Sequence, residues 1–167
     1  MRFFLAFLFL KLLISVNLYA KNLSAHVHGD VHLDIATDKN QLLIMLKAPS
    51  ESFLGFEYKA KTNKQKELVK QIKEEWDTNL FKNLGASSLK DCSVEKSAWK
   101  QQFSGENHSS ILAESYVRCS RPLKDRFLEI TFKKNYNRIK SIKLQLLRED
   151  GSVLSKRYID SVFKINI

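Results

Sequence analysis

The chain has 167 residues, with 28 Lys and Arg against 18 Asp and Glu, for a formal charge of +10. That is the length of one domain. With 44% hydrophobic and 11% aromatic residues it can build a packed core, which excludes a disordered chain, and 5 Gly and 2 Pro exclude collagen-like and low-complexity readings.

Residues 1–20 open with Arg2 and continue as an apolar run, Phe3 to Leu18, interrupted by Lys11, Ser15 and Asn17. The interruptions spoil a membrane span of about 20 apolar residues, and the pattern is that of a secretory signal peptide. Leu18 and Ala20 occupy the −3 and −1 positions of a cleavage site, which predicts Lys21 as the mature N-terminus. No Cys follows the site, so no lipid anchor is expected, and the mature form is expected to lack a stable membrane span. Residues 21–167 read as a single exported domain. The signal peptide removes two of the 28 basic residues and none of the 18 acidic ones, leaving 26 against 18, a mature charge of +8. Lysines in short clusters (Lys59, Lys61, Lys64, Lys66; Lys133, Lys134; Lys140, Lys143) look like a solvated surface, so nucleic acid is not an expected partner.

From Ala25 to Ala36 apolar residues alternate, with Val27, Val31, Leu33 and Ile35 sharing a face with Gly29; His26, His28, Asp30, His32 and Asp34 take the other. Asp38-Lys39-Asn40 is a turn, Gln41 to Ala48 is a second apolar run, and Pro49 ends it, so a β-hairpin opens the mature domain. Between Thr62 and Leu84, apolar residues at every fourth position (Leu68, Ile72, Trp76, Leu80, Leu84) predict one long amphipathic helix. Thr62 or Asn63 would cap its start and Gly85 its end. Strand-like segments follow: Cys92 to Phe103, Ile111 to Cys119, Phe127 to Phe132, Ile139 to Leu147 and Val153 to Ile165, with Asp150-Gly151 a hairpin turn between the last two. The expected fold class is α+β: one antiparallel sheet opening with a hairpin, a packed helix and one disulfide. Cys92 and Cys119, two and only two thiols in an oxidising compartment, most simply pair, for a model-dependent stabilisation of about 3 to 4 kcal/mol. A Cys-plus-His metal site competes with that reading but lacks close Cys-x-x-Cys spacing.

Three of the four histidines, His26, His28 and His32, lie within seven residues. Imidazole is the commonest metal ligand, and on a strand side chains two apart emerge on one face, so His26 and His28 form a bidentate arm. His32, about 13 Å along an extended strand from His28, cannot share an ion bound at about 2.1 Å. It would serve a secondary site with Asp30 or Asp34, or none, unless the strand breaks at Gly29. A zinc site needs three or four ligands, so distant residues must complete the arm. His108, in the polar loop Gly105-Glu106-Asn107-His108-Ser109, and Glu57, in Phe53-Leu54-Gly55-Phe56-Glu57, are the leading candidates.

The order of motifs, A-H-V-H-G at the mature start, an L-x-I-A strand, a strand ending in Ala-Pro, L-G-F-E, a helix, then H-x-x-x-x-x-E-x-Y-x-x-C, resembles the zinc-regulated periplasmic zinc-uptake proteins (ZrgA-like) over most of the mature chain. The resemblance implies an exported, periplasmic protein that binds zinc and assists a high-affinity zinc transporter. It supports His26, His28, Glu57 and His108 as positions matching the family's motifs, and it implies the transporter's solute-binding component as a partner. Tyr58 stands where members commonly carry His, and the long His/Asp-rich insertion of many members is missing; both departures concern zinc capacity more than the primary site.

The leading expectation is a periplasmic accessory protein that captures zinc without catalysis. One alternative is an envelope protein-interaction module with incidental histidines; a more remote one is a zinc hydrolase with Asp30 or Glu57 as general base. No H-E-x-x-H, nucleophile elbow or paired-carboxylate cleft supports the hydrolase, so no catalytic residues are assigned.

Overall fold

A computed structural model describes residues 27–84 and 89–167; the expected signal peptide, His26 and the expected Gly85 cap lie outside the described residues. The opening hairpin pairs β1 (Asp30–Asp38) with β2 (Gln41–Pro49) in the register Asp38↔Gln41, so Lys39 and Asn40 alone make the turn. Its tip is tied down from two sides. The Asn40 amide donates to the Cys119 carbonyl at 2.7 Å, and the Lys39 N–H donates to Glu149 at 3.0 Å.

After β2 comes a single turn of helix, α1 (Glu51–Leu54), and then the long helix α2 (Asn63–Asn83). Thr62 caps α2 through a reciprocal box with Gln65, which satisfies N–H groups that the first turn leaves without helical partners. Ile72, Trp76 and Leu80 are its buried stripe, and the Trp76 indole N–H reaches the Glu114 carbonyl of the sheet at 3.3 Å. The remaining elements are β3 (Cys92–Phe103), β4 (Ser109–Cys119), β5 (Phe127–Ile130), a helical turn α3 (Phe132–Asn135), β6 (Ser141–Leu147), β7 (Val153–Tyr158) and β8 (Phe163–Asn166).

Six strands form one sheet in the order β3-β4-β2-β1-β6-β7, while β5 and β8 make a separate two-stranded antiparallel sheet. Period-2 alternation sends Val31, Leu33 and Ile35, Leu42, Ile44 and Leu46, and Ile142, Leu144 and Leu146 to one buried face. The helices and the small sheet contribute Phe53, Trp76, Leu128, Ile130, Phe132 and Ile165 to the same core. The opposite face of the six-stranded sheet carries the alternate, half-buried and exposed residues.

Three expectations need correction. The sheet is mixed, because β1 pairs parallel with β6 (Val31↔Ile142 to Ala36↔Leu147). The chain returns to the start of β1, where Lys140 and Ser141 N–H groups donate to the Gly29 carbonyl, so β6 must run in the direction of β1. The long excursion through α2 and β5 makes that crossover possible. Val153 to Ile165 is two strands in different sheets, divided at Ile159 to Val162, and the flanking Tyr158 and Phe163 rings stack at 3.7 Å across the break. Phe132 begins α3 instead of ending a strand. Cys92 and Cys119 face each other in register across β3 and β4 and are disulfide-bonded.

Candidate metal centre

The start of β1, the end of β2 and the start of β4 meet at one end of the sheet, because β2 runs antiparallel to both neighbours. Pro49 stops β2, the Ser50 N–H donates to the Ser109 carbonyl at 2.9 Å, and the chain reverses through α1. Gly55 ends α1 in the left-handed region, φ 80°, and a Cβ there would lie 3.0 Å from the Arg138 guanidinium carbon. This reversal brings Glu51 and Glu57, six positions apart, to the same corner.

His28 arrives from the other side. Val27 to Gly29 is a turn, closed by the Asp30 N–H donating to the Val27 carbonyl at 3.0 Å, and Gly29 adopts φ 87°. The strand therefore begins only at Asp30, and the break at Gly29 swings His28 out of the β1 register. A Cβ on Gly29 would lie 2.8 Å from both the Arg138 carbonyl oxygen and the Lys140 Cγ, so the turn can accept only glycine without rearrangement.

The result is a cluster in which one ligand atom from each of His28, Glu51 and Glu57 lies within 4.8 Å of the others. His28 Nδ1 is 2.5 Å from Glu51 Oε2 and 3.7 Å from Glu57 Oε1. His108 Nδ1 meets the other Glu57 oxygen, Oε2, at 2.9 Å. Glu57 is 7% exposed, whereas the His28 and His108 rings are largely open to solvent. Its backbone is fixed from below: the Ser109 hydroxyl donates to the Glu57 carbonyl and meets the buried Ser50 hydroxyl at 2.8 Å, while the Gln101 amide donates to Ser109 at 2.9 Å.

Glu57 Oε1 is buried and lacks a hydrogen-bond partner. A buried carboxylate oxygen left unpaired is costly unless a cation or donor reaches it, and it faces the His28 ring. Imidazole nitrogen and carboxylate oxygen donors together suit a borderline cation such as zinc, and one Glu57 oxygen held by His108 would leave the other free to ligate.

Of the sequence-derived candidates, His28, Glu57 and His108 come together; His26 lies outside the described residues. Glu51 was not among the candidates, and the signal that could have found it is the glycine between the two glutamates, which folds the chain back on itself. His32, Asp30 and Asp34 lie elsewhere. His32 sits on the open face of β1 between Lys47 and Lys143, and burial first, then the Lys143 charge, lowers its pKa. Asp30 is buried and committed to structure, accepting from Ser141 at 2.7 Å and Arg157 at 2.6 Å with Lys143 at 3.3 Å. Asp34 lines a groove on the open sheet face.

No curated protein matches the chain. The family described as "ZrgA family zinc uptake protein" matches residues 25–157, a stretch that begins just before the His-x-His segment and ends within β7. The chain therefore belongs to the ZrgA family of zinc uptake proteins.

Proposed function

We infer that this protein is a periplasmic zinc-binding accessory protein, exported through a cleaved signal peptide, that captures zinc at the corner formed by His28, Glu57, Glu51 and His108 and supports high-affinity zinc uptake. His26, two residues before His28, is assigned to the same centre as a further imidazole. The observation that carries this reading is the buried Glu57 carboxylate, with one oxygen held by His108 and the other unpartnered beside His28. Zinc is cargo here, and no catalytic step is assigned. Exposed imidazoles over a buried carboxylate suit exchange: the ion enters from solvent and can leave to a partner such as the solute-binding component of a zinc transporter.

Calorimetric titration of zinc into protein lacking residues 1–20 tests the assignment. His26→Ala, His28→Ala and His108→Ala are expected to lose affinity, while His32→Ala keeps it. Absence of zinc binding would remove the metal reading, and equal losses in His32→Ala and His28→Ala would overturn the proposed ligand set.

A further inference from the structure

The face of the six-stranded sheet turned away from the helices carries an ordered charge pattern. Following the registers across the strands, one row reads Lys100, Leu112, Lys47, His32, Lys143, Arg157, from β3 through β4, β2, β1 and β6 to β7. Four of its six residues, Lys100, Lys47, Lys143 and Arg157, are cationic, on strands about 4.8 Å apart, and His32 among them has its pKa lowered. Arg157 and Lys143 are braced by the buried Asp30, at 2.6 and 3.3 Å. The next row, two residues along each strand, reads Ala98, Glu114, Met45, Asp34, Gln145, Ser155 and carries two carboxylates and no basic residue.

Between the two rows lies a groove of about 510 Å³, lined by Lys47, Lys100 and Leu112 of the first row and by Asp34, Glu114 and Met45 of the second. That volume is within the range of about 300–1,000 Å³ typical of ligand clefts. We propose that this sheet face is a docking surface for a partner protein presenting an acidic segment, whose carboxylates meet Lys100, Lys47 and Lys143 and whose apolar side chains fill the groove over Met45 and Leu112.

The neighbouring acidic row decides between classes of partner. A membrane surface or a nucleic acid presents one sign of charge throughout, and Asp34 and Glu114 would oppose it. A protein segment can place carboxylates against the first row and apolar or basic groups against the second, and such matching gives register as well as attraction. The charge of +8 carried by residues 21–167 adds long-range attraction for an acidic partner. The surface is independent of the metal centre.

The test uses protein lacking residues 1–20 and a fluorescein-labelled oligoglutamate peptide, read by anisotropy at low and high salt. Lys47→Glu with Lys100→Glu should weaken binding by about tenfold or more, whereas Lys64→Glu with Lys66→Glu, exposed on α2, should change it by no more than about twofold. Equal losses in the two variants, or no loss in the first, would overturn the proposal. Retained peptide binding in Lys47→Glu/Lys100→Glu, coupled with lost binding to phosphatidylglycerol vesicles, would also overturn it, in favour of a membrane surface. Unchanged zinc titration of this variant shows that it is folded and separates this surface from the metal centre; if it misfolds, Lys47→Gln with Lys100→Gln is read instead, with a smaller loss expected than for reversal.

Discussion

Glu57 is the residue on which the corner turns. Its carboxylate supplies the only buried charge of the cluster, and Glu57→Gln replaces an anionic donor by a neutral amide of the same shape. Loss of partners that merely orient ligands costs about 10–100-fold in metal affinity, so loss of this carboxylate is expected to cost about 100-fold or more in a zinc titration. Zinc competes with protons for imidazole and carboxylate, so affinity should fall steadily as the titration is repeated at lower pH; affinity independent of pH would contradict an imidazole-containing site. Gly29 acts through geometry alone. At φ 87°, with two atoms at 2.8 Å from the position of a Cβ, Gly29→Ala should lower stability by about 1–3 kcal/mol, seen as a reduced thermal midpoint, and displace His28. Asp30 carries a pH dependence of its own. Burial pulls its pKa upward, but the Ser141 hydrogen bond, Lys143 and Arg157 outweigh that and hold it below the ordinary carboxylate value. A depressed folded pKa contributes stability above the unfolded pKa, about 3.9, that is lost as pH falls through the folded value. Asp30→Asn should therefore be less stable than the parent at neutral pH, and the gap should close on acidification below about pH 4 in denaturation curves.

At the scale of elements, the locally encoded features were legible in the sequence. The Lys39-Asn40 hairpin, the Thr62 cap with its four-residue apolar spacing, and the Asp150-Gly151 turn each depend on residues a few positions apart. What escaped was non-local. Val31, Leu33 and Ile35 alternate identically whether the neighbour is antiparallel β2 or parallel β6, so periodicity could not reveal the mixed sheet. The break at Ile159 to Val162 sends β8 to a second sheet, and only its pairing with β5 shows it. Glu51 was hidden for the same reason, since its ligand geometry arises from a reversal at Gly55. The disulfide offers a test at this scale. Cys92 and Cys119 tie the β3/β4 end opposite the metal corner. Replacing both by Ser should cost about 2–4 kcal/mol in denaturant unfolding yet leave the zinc affinity of the folded protein unchanged.

The proposed zinc site and the proposed docking surface occupy different parts of one sheet. Its buried face and strand ends hold the core and the metal corner, while its open face presents the charge pattern assigned to a partner. The basic excess that marks the composition is thus not uniform decoration: Lys47, Lys100, Lys143 and Arg157 align across the strands, although they are far apart in sequence. A positive surface does not help to gather a cation, so the proposed zinc capture rests on local donors, Glu57 and the imidazoles around it. The most direct test is calorimetric titration of zinc into the protein lacking residues 1–20, run beside Glu57→Gln and His32→Ala. Saturable binding is expected in the parent and in His32→Ala, with a loss of about 100-fold or more in Glu57→Gln; equal affinity in the parent and Glu57→Gln would remove Glu57 from the site.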